Sequence, residues 1–109
     1  MIYSGDRVIG RTTTSAYTVT REGDAAGALV LRQGDRRVGR LDFRVSGSVI
    51  HVDYVFVDPS LRGRSLGVRL VDAAADWARE SQRTLQPICG YAARVLRSDT
   101  RYRDVLHAG

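Results

Sequence analysis

The chain has 109 residues, 43% hydrophobic and 27% charged, a balance that suits one folded domain with a thin core and leaves no room for a second. All 17 Lys/Arg residues are arginine, against 12 acids, and the formal charge of +5 favours anionic partners. One cysteine excludes an internal disulfide, no apolar run approaches membrane-spanning length, and the opening MIYSGDRVIGR lacks a signal-peptide core, so a soluble cytoplasmic protein is expected.

Residues 1–15 carry a Ser-Gly-Asp turn signal and a threonine-rich run; they read either as a leader or as an extra edge strand, and 16–109 as one domain. Residues 17–21 alternate aromatic or aliphatic side chains with threonine, which predicts a strand. A short polar connection is expected over 22–27, then a strand over 28–32 and a turn at Gln33-Gly34-Asp35. Over 38–45, Leu41, Phe43 and Val45 alternate with Arg40, Asp42 and Arg44, a strand with one wet face. Ser46-Gly47 turns the chain into a strand over 49–57, whose second half is apolar on both faces and is expected at the centre of the sheet. A helix is predicted over 66–83, with Leu66, Leu70, Ala74, Trp77 and Ala78 on its buried stripe. Arg69, Asp72, Asp76, Arg79, Glu80 and Arg83 form its solvated face. A strand over 85–89 beside the central one, a helix from Gly90-Tyr91 to about residue 97, and a last turn capped by Ser98-Asp99 complete the chain. Trp77 and Tyr102 are expected to be structural.

The stretch 55–71, VFVDPSLRGRSLGVRLV, runs from a strand through a glycine- and arginine-rich loop into a helix. Unpaired backbone N–H groups and a partial positive charge collect at such a helix start, and small residues let an anion approach. A nucleotide P-loop would need a lysine, and a dinucleotide fold needs G-x-G-x-x-G near the start of several βαβ units. Neither pattern is present.

The hexapeptide Arg62-Gly63-Arg64-Ser65-Leu66-Gly67 resembles the acyl-CoA loop of the GNAT acetyltransferase superfamily, R/Q-x-x-G-x-G/A, with Ser65 where glycine is usual. VFVDP before it, the helix VRLVDAAADWARE after it and the strand LQPIC extend the resemblance to the minimal, single-domain members often called YjdJ-like. The fold expected is α+β: an antiparallel meander leading to a mixed sheet with two main helices. The family's helical insertion after the first strand and its strand pair after the last helix have no counterpart here. The resemblance therefore implies an open acceptor groove, or one closed by a second subunit in a homodimer.

Function follows by the same resemblance: an acetyl-CoA-dependent N-acetyltransferase acting on an amine, or an acyl-CoA-binding module without catalysis. Val55 and Val57 would pair with the pantetheine arm. Arg62, Gly63, Arg64, Ser65, Leu66, Gly67 and Val68 would hold the pyrophosphate. Ser65 is tolerable there if its conformation fits, and its hydroxyl could donate to a phosphate; if the site needs positive φ, it costs stability. Cys89, at a strand end just before a helix, is either a transient acetyl acceptor near the thioester or a small buried hydrophobe. Tyr91 is either the acid that protonates the leaving thiolate or a packing residue. Family members often carry His-Thr-Glu where this chain has Tyr54, Val55 and Phe56, so the usual base is missing. Asp53 is the nearest acid; His51 is either a base on the face opposite Tyr54 or a plain surface or satisfied histidine, and water could serve as the proton acceptor instead. No metal is implied, no membrane contact is expected, and arginines spread along the chain argue against a nucleic-acid partner.

Overall fold

The computed structural model describes residues 16–107. The leader-or-strand alternative for 1–15 falls outside the described residues. One sheet holds five strands in the order β1-β2-β3-β4-β5: Tyr17–Gly23, Ala26–Gln33, Arg36–Ser46, Val49–Val57 and Thr84–Pro87. The first four form an antiparallel meander, and β5 joins β4 in parallel. Helix α1 (Leu66–Glu80) connects β4 to β5, and α2 (Gly90–Ser98) follows. The architecture is the α+β meander with a mixed sheet and two helices that the sequence predicts.

The main core cluster lies on one face, while Val30, also fully buried, lies on the other. Leu29, Leu31, Leu41, Phe43, Ile50, Val52 and Leu85 meet Leu66, Leu70, Val71, Ala74, Ala75 and Ala78 of α1 and Ala92 and Leu96 of α2. Burying each larger side chain stabilises the fold by about 1.5–3 kcal/mol. Alanines on α1 let its axis lie close to the sheet.

Three local readings need correction. The connection expected over 22–27 is mostly strand: pairing continues to Gly23↔Gly27, leaving Asp24 and Ala25 as the turn. Its polar residues reflect a wet sheet face, where Glu22 takes Arg32 at 2.8 Å and Arg37 at 2.9 Å. Helix α1 stops at Glu80 rather than at Arg83, because Gln82 adopts a left-handed φ of 56° and Arg83 N–H closes back on Ala78 C=O at 2.8 Å. The centre of the sheet is β3, and β4 stands second from the edge. The second half of β4 is apolar on both faces without being buried on both. Tyr54 is 47% exposed, and Arg40 lies 5.4 Å from both the Tyr54 and the Phe56 rings, covering aromatic surface that no described helix reaches.

The polar face of α1 also does more than meet water. Asp99 caps a 3₁₀ turn, Thr100–Tyr102, and Tyr102 is buried with its hydroxyl donating to Asp72 at 2.5 Å. Arg79 grips Asp104 at 2.8 and 3.0 Å. These contacts fasten the C-terminal tail across α1. From the same half of α1, Trp77 packs edge-on to Phe43 at 4.8 Å and carries Arg21 over its face at 4.5 Å.

Candidate functional site

Two features of the backbone make the site. The first is a fork. β4 and β5 pair from Val49↔Thr84 to Val52↔Pro87 and no further. At the fork point the Val52 carbonyl accepts from both Ile88 N–H (2.9 Å) and Cys89 N–H (3.2 Å). Beyond it, the second half of β4 presents an edge that no described strand pairs on that side. The second feature is a bulge. β3 pairs Phe43 with Val52 and Asp42 with Tyr54, so Asp53 is an extra residue. A bulge bends and twists its strand locally, and this one lies just beyond the last β4–β5 pair.

The loop at the end of that free edge is built to leave amides open. Asp58 caps the 3₁₀ turn Pro59–Leu61 by accepting from Ser60 N–H at 2.9 Å. Gly63 sits at φ 88°, which only glycine adopts without strain. Ser65 stands at the α1 N-cap with φ 59° and ψ 27°, and its side chain caps nothing. The first backbone bond of the helix is Arg69 N–H to Ser65 C=O at 3.3 Å. Among the described residues, the amides from Gly63 to Val68 have no protein acceptor. No acidic side chain occupies the first turn. A row of free donors on a helix dipole, uncapped and without a carboxylate, is suited to an anion.

Ser65 therefore meets the condition stated from sequence: the site does require positive φ. A left-handed non-glycine residue costs about 1 kcal/mol, partly offset by the lower chain entropy of serine in the unfolded state. Ser65→Gly is expected to raise the unfolding free energy by about 0.5–1 kcal/mol, read as a higher urea midpoint at constant m. A lowered midpoint would refute the strain.

Gly67 is constrained by a neighbour rather than by φ. A methyl group in place of its hydrogen would stand 2.6 Å from the Tyr91 hydroxyl and 2.9 Å from its ring carbon Cζ. Tyr91, in the first turn of α2, thus lays its phenol on the first turn of α1. Burial raises the Tyr91 phenol above its ordinary value, while the Arg94 charge, 5.4 Å from the ring, offsets part of that rise. The phenol is protonated at neutral pH, the form an acid needs.

Cys89 is free, half-buried at the α2 N-cap, and sits at the fork. Val55 and Val57 lie on the free edge and lean on the core. Arg62 folds back instead of reaching out: its Nε donates to Val57 C=O at 3.1 Å, and its guanidinium lies 5.7 Å from Phe56. Arg64 is exposed beside the open amides. Asp53 is committed to Arg44 through bonds of 2.7 and 2.8 Å, and that guanidinium holds its carboxyl below the usual carboxylate range. It is a poor base. His51 does not face away from Tyr54. His51 pairs with Arg44 and Tyr54 with Asp42, and Arg44 and Asp42 lie two apart on β3, so the Asp53 bulge brings both onto the uncovered face. Sequence reasoning missed Arg94 and the bulge. The bulge left no signal in the sequence, because Tyr54 and Phe56 continue the apolar alternation of Ile50 and Val52.

The family description "GCN5-related N-acetyl-transferase" matches residues 28–105. The chain belongs to the GCN5-related N-acetyltransferase family. A GCN5-like protein from Staphylococcus aureus, known in solution, superposes with a TM-score of 0.64 at 22% identity, over 85% of this chain and 90% of that one. The ribosomal-protein-alanine N-acetyltransferase of Brucella melitensis biovar Abortus gives 0.58 at 24% identity, over 81% and 68%. AAC(6')-Iy, solved with the bisubstrate analog CoA-S-monomethyl-acetylneamine, gives 0.56 at 17%, over 70% and 61%. No curated protein matches the sequence. At these identities the structural likenesses speak for the fold, and the family match for the class. As a GCN5-related chain it shares the acyltransferase class with its neighbours, and among the described residues it holds no helix long and apolar enough to cross a membrane.

Proposed function

We propose that this chain is an acetyl-CoA-dependent N-acetyltransferase acting on an amine in the cytoplasm. The observation that carries the reading is the row of amides without a protein acceptor from Gly63 to Val68, at the foot of an unpaired strand edge. Acetyl-CoA would supply the activated acetyl group as a thioester. The amides of Gly63, Arg64, Ser65, Leu66, Gly67 and Val68 would hold its pyrophosphate, with Arg64 adding charge and Arg62 bracing the turn. The edge at Val55 and Val57 would take the pantetheine amides as an added strand does. Tyr91 would donate a proton to the departing sulfur. Cys89, at the fork, would line the acetyl end. Among the described residues no helix packs on the second sheet face, which would leave the acceptor side open, or open to closure by a second copy of the chain.

One observation favours a second reading, an acyl-CoA-binding module without catalysis. Asp53 is tied to Arg44, and Tyr54, Val55 and Phe56 stand where the family usually carries its base triplet. Calorimetry with acetyl-CoA tests what the two readings share. Ser65→Gly is expected to keep binding and Ser65→Trp to lose it; equal affinity in both would remove the loop from the site. Thiol release with a panel of amines separates the readings: turnover supports the enzyme, and binding without turnover supports the module. Mass spectrometry after incubation with acetyl-CoA tests Cys89, for which an adduct of about 42 Da is the signature of a covalent role.

A further inference from the structure

We propose that His51 is the catalytic base, taking the proton that the acceptor amine must lose before it attacks; this rests on the acetyltransferase reading. The bulge at Asp53 carries the argument. By shifting the strand phase it sets His51 and Tyr54 on the same uncovered face, with His51 opposite Gln86 in the last but one β4–β5 pair before the fork. The fork is flanked on this face by the two large apolar side chains most open to solvent, Tyr54 (47%) and Ile88 (54%). An amine approaching the fork on this face comes to the side of the sheet that carries His51, one pair before the strands part.

The ring is chemically available. His51 makes no hydrogen bond to any described residue; its Nδ1 is sealed from solvent without a partner, and Nε2 is not sealed in this way. The groups that face it are Arg44 from β3, Asp53 on its own strand and Gln86 from β5. Arg44 and Asp53 satisfy each other through two bonds, so neither competes for the imidazole. Val49 from β4 and Thr84 from β5 lie behind it, with the Thr84 hydroxyl already bonded to His107 at 3.1 Å.

The step balances. An acceptor ammonium gives one proton to the imidazole, and the freed nitrogen lone pair attacks the acetyl carbonyl carbon. The C–N bond forms as the C–S bond breaks, and the sulfur leaves with that electron pair. The second proton lost from nitrogen passes to solvent, and the thiolate is protonated by Tyr91, which regains a proton from solvent. His51 returns its proton to solvent, so each turnover releases one proton in total.

The test is the pH profile of kcat/KM, measured by thiol release for native protein and for His51→Gln and His51→Ala, with acetyl-CoA affinity and thermal unfolding measured alongside. The expected result is a loss of about 100-fold or more in kcat/KM, in the range of general-base contributions. The rising limb of the profile should disappear, acetyl-CoA affinity should stay within about twofold, and added imidazole should restore activity to His51→Ala. Turnover in either variant with the native profile overturns the assignment alone. Native protein that binds acetyl-CoA but acetylates no amine overturns it together with the enzyme reading. Failure to bind acetyl-CoA overturns the site itself. If the glutamine variant unfolds, imidazole rescue of the alanine variant still decides.

Discussion

Gly67→Leu is expected to weaken acetyl-CoA binding by about 100-fold, about 2.7 kcal/mol. The space a side chain would need is filled by the Tyr91 phenol, 2.6 Å from the first added carbon. A leucine must push that ring aside and then stand in front of the amides from Gly63 to Val68, which would face the pyrophosphate. The smaller change, Gly67→Ala, isolates the clash. In the native background overpacking should cost about 1–2 kcal/mol of stability. In a Tyr91→Ala background the clash is gone, and alanine should stabilise α1 by about 0.5–1 kcal/mol over glycine through helix propensity. The double-mutant cycle should therefore show a coupling of about 2 kcal/mol, measured by urea unfolding. Additivity within about 0.5 kcal/mol, the usual result for sites that do not touch, would mean that Tyr91 does not rest on Gly67.

Tyr102→Ala should be the most destabilising single change outside the sheet, at about 3–5 kcal/mol. Domains of this kind have only about 5–15 kcal/mol to lose. Tyr102 is 1% exposed, and it joins the C-terminal tail to α1 through its hydroxyl on Asp72. Tyr102→Phe keeps the ring and should cost about 0.5–1.5 kcal/mol, the net worth of the lost hydroxyl bond, because Asp72 keeps Arg101 at 3.2 Å. The phenol adds a pH signature. Burial first, and then the bond to Asp72, favour its neutral form and push it up to about 12. A tyrosine in an unfolded chain titrates near about 10. The folded value is the higher one, so the stabilisation is complete below about pH 10 and is lost as pH rises from there through about 12. The unfolding free energy of the native chain should fall across that interval more steeply than that of Tyr102→Phe. A loss under about 1 kcal/mol in Tyr102→Ala, or identical alkaline slopes, would show the tail to be loosely attached.

Residues whose roles depend on their immediate neighbours in the chain were legible in the sequence. The β4 strand over Val49–Val57, the arginine- and glycine-rich turn and the start of α1 at Leu66 follow from alternation, Pro59 and helical spacing. The family resemblance marked Ser65 as standing where glycine is usual, and Ser65 adopts a φ of 59° there. These properties belong to stretches shorter than about ten residues, where backbone preference and side-chain period decide.

The sequence by itself thus determined the class of fold, the order of its elements and the loop with open amides. Tertiary structure alone decided what surrounds that loop. Gly67 is small because Tyr91, from another helix, occupies its side-chain space. Asp53 is spent on Arg44 from the next strand. His51 shares a face with Tyr54 because strand register, set by pairing with β3, inserts one extra residue between them. Each of these depends on contacts between segments far apart in the chain, and period and propensity within a single segment carry no record of such contacts.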